Sequence, residues 1–248
     1  MHRRLIPLAL LSAALTVSPL LAGPASPIAA ALADKARSEK NRALDEGRKP
    51  AEVLAFAGIR KGDVVADYQA GGGYYSELIA DLVGPKGRVY AMTQPNFYDA
   101  KDWDPIQAAH PNVAMMVAPG QSLVLAPGSV DVIFAHMTWH DLYWTNEKYQ
   151  HPRIEVDAFM KGWFAAVRPG GHVVIIDHVG PAGDPRAVVD KLHRIDPAQV
   201  KADMARAGFV LEAESDVLHR SEDDHTKMVF DPAIRGKTDR FVLKFRRP

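Results

Sequence analysis

Two stretches of this chain combine residue types and spacing that can do chemistry. The first is Val64-Val65-Ala66-Asp67-Tyr68-Gln69-Ala70-Gly71-Gly72-Gly73-Tyr74, an apolar run that ends at a carboxylate and breaks into three glycines. Glycine lacks a Cβ and accepts positive φ, so backbone amides in such a turn can approach a ligand, and a helix opening behind it adds unpaired N–H groups. Three glycines alone equally describe a tight strand-to-helix turn. The second stretch is His136-Met137-Thr138-Trp139-His140-Asp141-Leu142-Tyr143-Trp144. His140, with an ordinary pKa near neutrality, suits a general base acting on a hydroxyl or amine. Asp141 could orient it only where the backbone turns, since adjacent side chains rarely face each other. Trp139, Tyr143 and Trp144 could wall an aromatic or cationic substrate. The same aromatics could instead pack onto a sheet while His140 satisfies a backbone carbonyl.

Other polar groups complete the set. His136 and His140 have helical metal-ligand spacing, with Asp141, His151, Asp177 and His178 as further ligands if the fold gathers them. No glutamate follows His136 as in the helices of zinc proteases, and no metal ligand set is assigned. Asp177-His178 ends a strand, where structural capping is the competing role. Arg220–Thr238 is long for a connection in a compact domain and carries Asp223, Asp224, His225, Arg235 and Lys237. A loop of that length suits a lid or binding segment, which puts His225 among the substrate contacts. Met228, Val229 and Phe230 would seat it, and a solvated charged extension is the alternative.

The elements that must position these groups alternate in type. Strands are expected at Val64–Tyr68, Arg88–Met92, Val113–Val117, Val130–Ala135, His172–Ile176, Phe209–Ala213 and Arg240–Phe245. Helices are expected over Ile28–Gly47 (a surface helix), Pro50–Ile59, Tyr74–Val83, the stripe Val156 to Val167 ended by Pro169-Gly170-Gly171, and the segment opened by Asp196-Pro197. Strands alternating with helices predict an α/β fold with a mostly parallel sheet covered on both faces. The 248 residues carry 30 basic and 30 acidic side chains and no cysteine. That balance argues against a nucleic-acid partner held by phosphate neutralisation, and the missing thiols exclude disulfides and thiolate chemistry.

The ordered segments of the chain resemble class I S-adenosylmethionine-dependent methyltransferases. The resemblance runs through the strand, Asp67 and glycine loop, then Gly84-Pro85-Lys86-Gly87-Arg88-Val89-Tyr90-Ala91, Ser129-Val130-Asp131-Val132-Ile133 and Val167-Arg168-Pro169-Gly170-Gly171-His172-Val173-Val174, over roughly residues 50–246. Trp139-His140-Asp141-Leu142-Tyr143-Trp144 and Gly236-Lys237-Thr238-Asp239-Arg240-Phe241 also resemble a family of exported predicted methyltransferases. The resemblance implies a Rossmann-like, seven-stranded sheet with an antiparallel last strand. It implies S-adenosylmethionine at the end of the first strand, with Asp67, Gln69, Gly71, Gly73 and Thr93 as cofactor contacts. Asp67 would face the cofactor's ammonium and sulfonium charges, or else brace the glycine turn. Three positions depart from the pattern. Gln69 stands where glycine is usual, Thr93 where an acidic residue accepts from the ribose, and Pro119 where a polar residue meets the adenine. Two lost contacts would weaken cofactor binding by roughly 1–3 kcal/mol each.

Arg3 and Arg4 precede the apolar run Leu5–Ala22, which carries Pro7 and Pro19 and exits into small residues. This pattern describes a secretory signal peptide over residues 1–25, with cleavage near Ala22, Ala25 or Ala33, and a methyltransferase-like α/β domain over 26–248. The expected protein is periplasmic or secreted, without a membrane anchor once the leader is removed. The expected function is methyl transfer from S-adenosylmethionine to a small molecule, with metal chemistry ranked below it. The alternative is an exported, non-catalytic binding protein on the same fold with a degraded cofactor site.

Overall fold

The computed structural model describes residues 26–119 and 125–248, so the expected leader and its apolar run lie outside the described residues. Four short helices open the description: α1 (Pro27–Ala33), α2 (Glu39–Arg42), α3 (Asp45–Arg48) and α4 (Pro50–Ala57). The single surface helix expected over Ile28–Gly47 is therefore three pieces. Ser26 caps α1 and Ser38 starts α2 after the break at Asp34, each accepting from an amide three residues on, as serine favours caps over helix interiors. The segment is also not confined to the surface, because Ala31, Arg37 and Asn41 are buried.

The sheet follows from the apolar runs. β1 (Val64–Tyr68), β2 (Arg88–Thr93), β3 (Val113–Val117), β4 (Val130–His136), β5 (Val167–His178), β6 (Val210–Ser215) and β7 (Arg240–Arg246) stand in the order β3-β2-β1-β4-β5-β7-β6. β3, β2, β1, β4 and β5 run parallel, and β7 is antiparallel to both neighbours. The expected Rossmann-like topology is thus present. Parallel strands need crossovers, which α5 (Tyr74–Val83), α6 (Ala100–Ala109), α7 (Val156–Ala166), α8 (Pro185–Leu192) and α9 (Pro197–Ala207) supply on the two faces.

Alternation along each strand divides the core in two. Ala66, Ile133, Val173 and Ile175 pack with Trp163 and Met204 on one face. Val65, Val132, Phe134 and Val174 pack with Leu78 and Ile79 on the other. β5 begins earlier than expected, running through Pro169-Gly170-Gly171. A Cβ at Gly171 would lie 2.6 Å from the Asp131 carbonyl, so glycine lets β5 pass close to β4 where the register shifts. The sheet order reverses between β2 and β4 on either side of β1. The carboxyl ends of β1, β4 and β5 consequently bring Asp67, His136, Asp177 and His178 to one edge, the place where open α/β sheets hold ligands. No helix among the described residues is long and apolar enough to cross a membrane.

Candidate functional site

Leaving β1, the chain turns through two residues in the left-handed region that matter for a ligand. Gln69 has φ 50°, the conformation glycine takes most easily, and Gly71 follows with φ 55°. A Cβ on Gly71 would meet nothing within 4 Å, so this glycine borders open space, while one on Gly73 would lie 2.3 Å from Ile106 Cδ1. Gly73, itself at φ 79°, serves both packing and backbone direction, and Gly71 backbone direction alone. The Ala70 amide donates to the Met92 carbonyl at 2.8 Å, and Trp103 Nε1 donates to the Gly71 carbonyl at 3.0 Å. The turn is thereby tied to β2 and α6.

Above it lies a cavity of about 320 Å³ whose walls include Asp67, Gln69, Gly71, Gly72, His136 and Thr138, closed from the other side by Lys40, Leu44 and Arg48. Asp67 accepts from Ser76 Oγ at 2.6 Å, so its partner is a hydroxyl of α5 and not an amide of the glycine turn. Burial raises its pKa to about 7, against which the Ser76 bond and Arg48 act only in part. His136 also borders the cavity. Burial, then Arg48 and Arg240, hold its pKa well below the ordinary value, and its Nε2 is buried without a partner.

At the end of β2 Thr93 is buried. The residue after it makes the contacts: Gln94 Nε2 donates to Gln69 Oε1 at 2.9 Å and faces His151 Nδ1 at 3.3 Å. His151 Nε2 lies 2.8 Å from the Asp141 carbonyl, which with Gln94 as donor makes it the protonated nitrogen. Gln94 and His151 thus link the glycine turn to the segment after β4, and neither was singled out from sequence as a cofactor-side residue. Pro119 ends the described stretch before residues 120–124.

His140 sits in a short 3₁₀ turn, His140–Leu142, rather than on a helix with His136, which is strand. The helical metal-ligand spacing is therefore not realised. His140 Nδ1 donates to Asp177 Oδ1 at 2.8 Å, its amide donates to Asp177 Oδ2 at 2.9 Å, and its Nε2 lies 3.5 Å from Asp141 Oδ1. The principal orienting carboxylate is Asp177. Burial alone would depress the imidazole, but Asp177 and Asp141 outweigh it and hold its pKa at about 9. At neutral pH the ring is an imidazolium, so it holds the proton that a general base would have to take up. His193, from the end of α8, stands 5.4 Å away between ring centroids; burial and then His140 push it down to about 4. His140, Asp141 and His193 bring candidate ligand atoms within 4.8 Å of one another.

The expected substrate walls divide. Trp139 is fully buried edge-on to Trp163, and Tyr143 donates its hydroxyl to buried Asp203 at 2.7 Å. Both belong to the core, because their neighbours on α7 and α9 cover them. Trp144 remains partly open and packs against His151 and His193. His225 Nε2 bonds Asp239 Oδ2 at 2.9 Å, which pins the long loop, and the half-buried ring borders neither the cavity at the glycine turn nor the one beside it. Of the three residues expected to seat that loop, only Val229 is buried; Phe230 is 54% exposed.

No family model and no curated protein sequence matches this chain. Solved structures do. A SAM dependent methyltransferase from Aquifex aeolicus matches with TM-score 0.58 at 21% identity, over 84% of this chain and 97% of its own. An S-adenosylmethionine dependent methyltransferase from Mesorhizobium loti matches at 0.55 and 16%, over 82% of this chain and 100% of its own. Fibrillarin of Aeropyrum pernix, with natively bound S-adenosyl-L-methionine, matches at 0.50 and 15%, over 82% and 76%. At these identities the likeness establishes the fold, which is that of S-adenosylmethionine-dependent methyltransferases.

Proposed function

We propose that the protein transfers a methyl group from S-adenosylmethionine to a small-molecule acceptor outside the cytoplasm. One observation carries the reading: the cavity at the β1 switch point is bounded by a backbone turn that opens onto it and by a buried carboxyl poised near neutrality. The donor set suits the amino-acid end of the cofactor. An ammonium or sulfonium near Asp67 would stabilise its ionised form, and the orphaned His136 Nε2 has hydrogen-bonding capacity to spare. When bound, the cofactor supplies an electrophilic methyl group. Asp67 would hold its cationic end, the Gly71–Gly72 turn would admit it, and the Gln69–Gln94–His151 chain would fix the β1 and β2 ends against the turn that carries His140.

Methyl transfer is an in-line displacement, so its acceleration comes mainly from holding donor and acceptor in register. His140, charged between Asp141 and Asp177, serves that rigidity. Titration calorimetry with S-adenosylmethionine and its demethylated product is the test. Saturable binding that Asp67→Asn weakens supports the reading, and no heat at millimolar ligand removes it in favour of a fold retained without its cofactor.

A second reading rests on His140, Asp141 and His193. The His140 Nδ1 bond to Asp177 is the arrangement that points a histidine's Nε2 at a metal, and the His193 Nδ1 is buried without a partner. The 3.5 Å between His140 Nε2 and Asp141 Oδ1 is close to the edge of a tetrahedral site. Adding Co²⁺ and reading its visible absorption, with His193→Ala as control, decides it; no d–d band removes a metal role.

A further inference from the structure

Beside the cavity at the glycine turn lies a second, of about 490 Å³, and the two share Leu44, Arg48 and Met137 in their walls. Its charged lining is all of one sign. Arg48, Arg235 and Arg240 border it together with His178 and Thr238, and no aspartate or glutamate among the described residues does. His178 adds no charge of its own, since burial pushes it down to about 3 and it is neutral, bonded through Nδ1 to Thr238 Oγ1 at 2.8 Å.

Arg240 opens β7 and is only 4% exposed. Its guanidinium donates to the Gly47 carbonyl, while its Nε is buried without any partner. Arg48 lies over the Tyr74 ring, 4.3 Å from its centroid, and among the described residues its guanidinium makes neither an ion pair nor a hydrogen bond. Two fully buried guanidiniums elsewhere in the chain do find carboxylates. Arg37 pairs with Asp45 and Glu77, and Arg194 forms a two-pronged pair with Asp223. The carboxylates nearest the unpaired pair are committed elsewhere: Asp45 to Arg37 and Tyr74, Asp67 to Ser76, and Asp239 to His219 and His225. A buried charge without a partner costs several kcal/mol even after relaxation, so Arg240, with half-buried Arg48 on the wall of the same cavity, calls for an occupant of opposite charge. Burial indeed lowers both guanidinium pKa values, that of Arg240 to about 10 with Arg220 and Arg48 repelling it further.

We propose that this second cavity binds the anionic group, a carboxylate or a phosphate, of the methyl acceptor, held by Arg240 and Arg48 with Arg235 at the mouth. That the anion belongs to an acceptor rests on the methyl-transfer reading; the anion site itself stands on the unpaired guanidiniums. Arg48 borders both cavities, whereas Arg240, Arg235, His178 and Thr238 border only the second, which separates it from the cofactor's end.

Inorganic phosphate and acetate are the probes, titrated into ¹⁵N-labelled protein while the Arg240 Nε–H signal is followed by NMR. That signal is expected to shift saturably with at least one of the two, and the more effective one names the anion class. Arg48→Met and Arg235→Gln are each expected to weaken the response, Arg48→Met by about tenfold or more. The effective anion is expected to raise the melting temperature of the parent protein and to leave that of Arg240→Met unchanged. An unmoved Nε signal with both anions, or an equal thermal response in Arg240→Met, overturns the site. Because Arg235 is exposed, Arg235→Gln keeps the test decisive if Arg240→Met does not fold. Adding S-adenosylmethionine with phosphate present separates the two proposals. Retention of the phosphate-shifted signal supports an acceptor subsite, and its displacement assigns the anion to the cofactor and overturns that assignment. If S-adenosylmethionine does not bind at all, the methyl-transfer reading fails while the phosphate and acetate arms still decide the anion site.

Discussion

Two buried residues at the sheet edge give opposite kinds of information through one observable, stability against pH. Asp67 keeps its proton in the native state up to about pH 7, whereas the unfolded chain releases it near 3.8. The native state therefore binds more protons across that window, stability falls as pH rises through it, and above pH 7 the full penalty is in place. Asp67→Asn stays neutral and can still accept from Ser76. It is expected to match the parent near pH 4 and to exceed it at pH 8 by on the order of 2–4 kcal/mol in urea melts, while losing tenfold or more in cofactor affinity. A variant no more stable at pH 8 would show that Asp67 is ionised and paired in the native state. His140 works through a gained partner. Its folded pKa of about 9 lies above the ordinary 6.5, so its contribution is complete below pH 6.5 and lost as pH rises through 9. Removing His140 alone strands the Asp177 carboxylate, at a cost of about 3–5 kcal/mol. The double variant His140→Gln/Asp177→Asn removes both charges and is expected to abolish the slope between pH 6.5 and 9; a persisting slope would assign it to other groups.

Among the elements, β1, β3 and α5 are legible to the residue, because each is a run of apolar or periodic residues bounded by glycine or proline turns. Only β1 of the two strands is buried along its length, and β3, at the sheet edge, is mostly half-buried. α6 was not seen: Pro105 interrupts its pattern, and only Trp103 and Ile106 on it are buried. α8 was missed although Asp184-Pro185 repeats the cap that revealed α9 at Asp196-Pro197. The glycine turn was readable as a ligand loop, but its partners were not. Gln94 and His151 reach it from elements 25 or more residues away, and Asp177 reaches His140 only because the β4–β5 register pairs His136 with Ile176. Residue types announce such groups; register decides which of them meet. Gly73 shows how tightly the turn is built, since its φ is 79° and its Cβ site is filled by Ile106. Gly73→Ala is expected to lose about 2–4 kcal/mol, strain and overpacking combined, by denaturant unfolding. At Gly71 the same substitution meets open space, so backbone strain alone remains, about 1–2 kcal/mol, and the loss falls on ligand approach instead.

For the molecule as a whole, the opening helix limits where a leader can be cut. The proposal of export rests on Arg3, Arg4 and the apolar run after them, with Ala22, Ala25 and Ala33 as candidate exits. The fold makes these three unequal. α1 begins at Pro27 behind the Ser26 cap, buries Ala31, and lays Ile28 and Leu32 against the cluster that also holds Val53, Leu78 and Ile79. Cutting after Ala33 would strip that helix from α4 and α5 and expose the apolar surface it covers, a loss of roughly 2–4 kcal/mol at ordinary burial energies. It would also bring the new terminus next to Arg37, whose pairs with Asp45 and Glu77 anchor the wall of the first cavity. Cutting after Ala22 or Ala25 leaves the cap and the helix whole. If a leader is removed, the remaining chain is expected to begin between residues 23 and 26, which intact mass of the protein produced from the full-length sequence measures directly; a mass that retains residues 1–22 would show that no leader is cut. A chain beginning at Ser26 is expected to melt with the full domain and one beginning at Asp34 well below it; equal melting temperatures would show that α1 belongs to the leader and not to the fold.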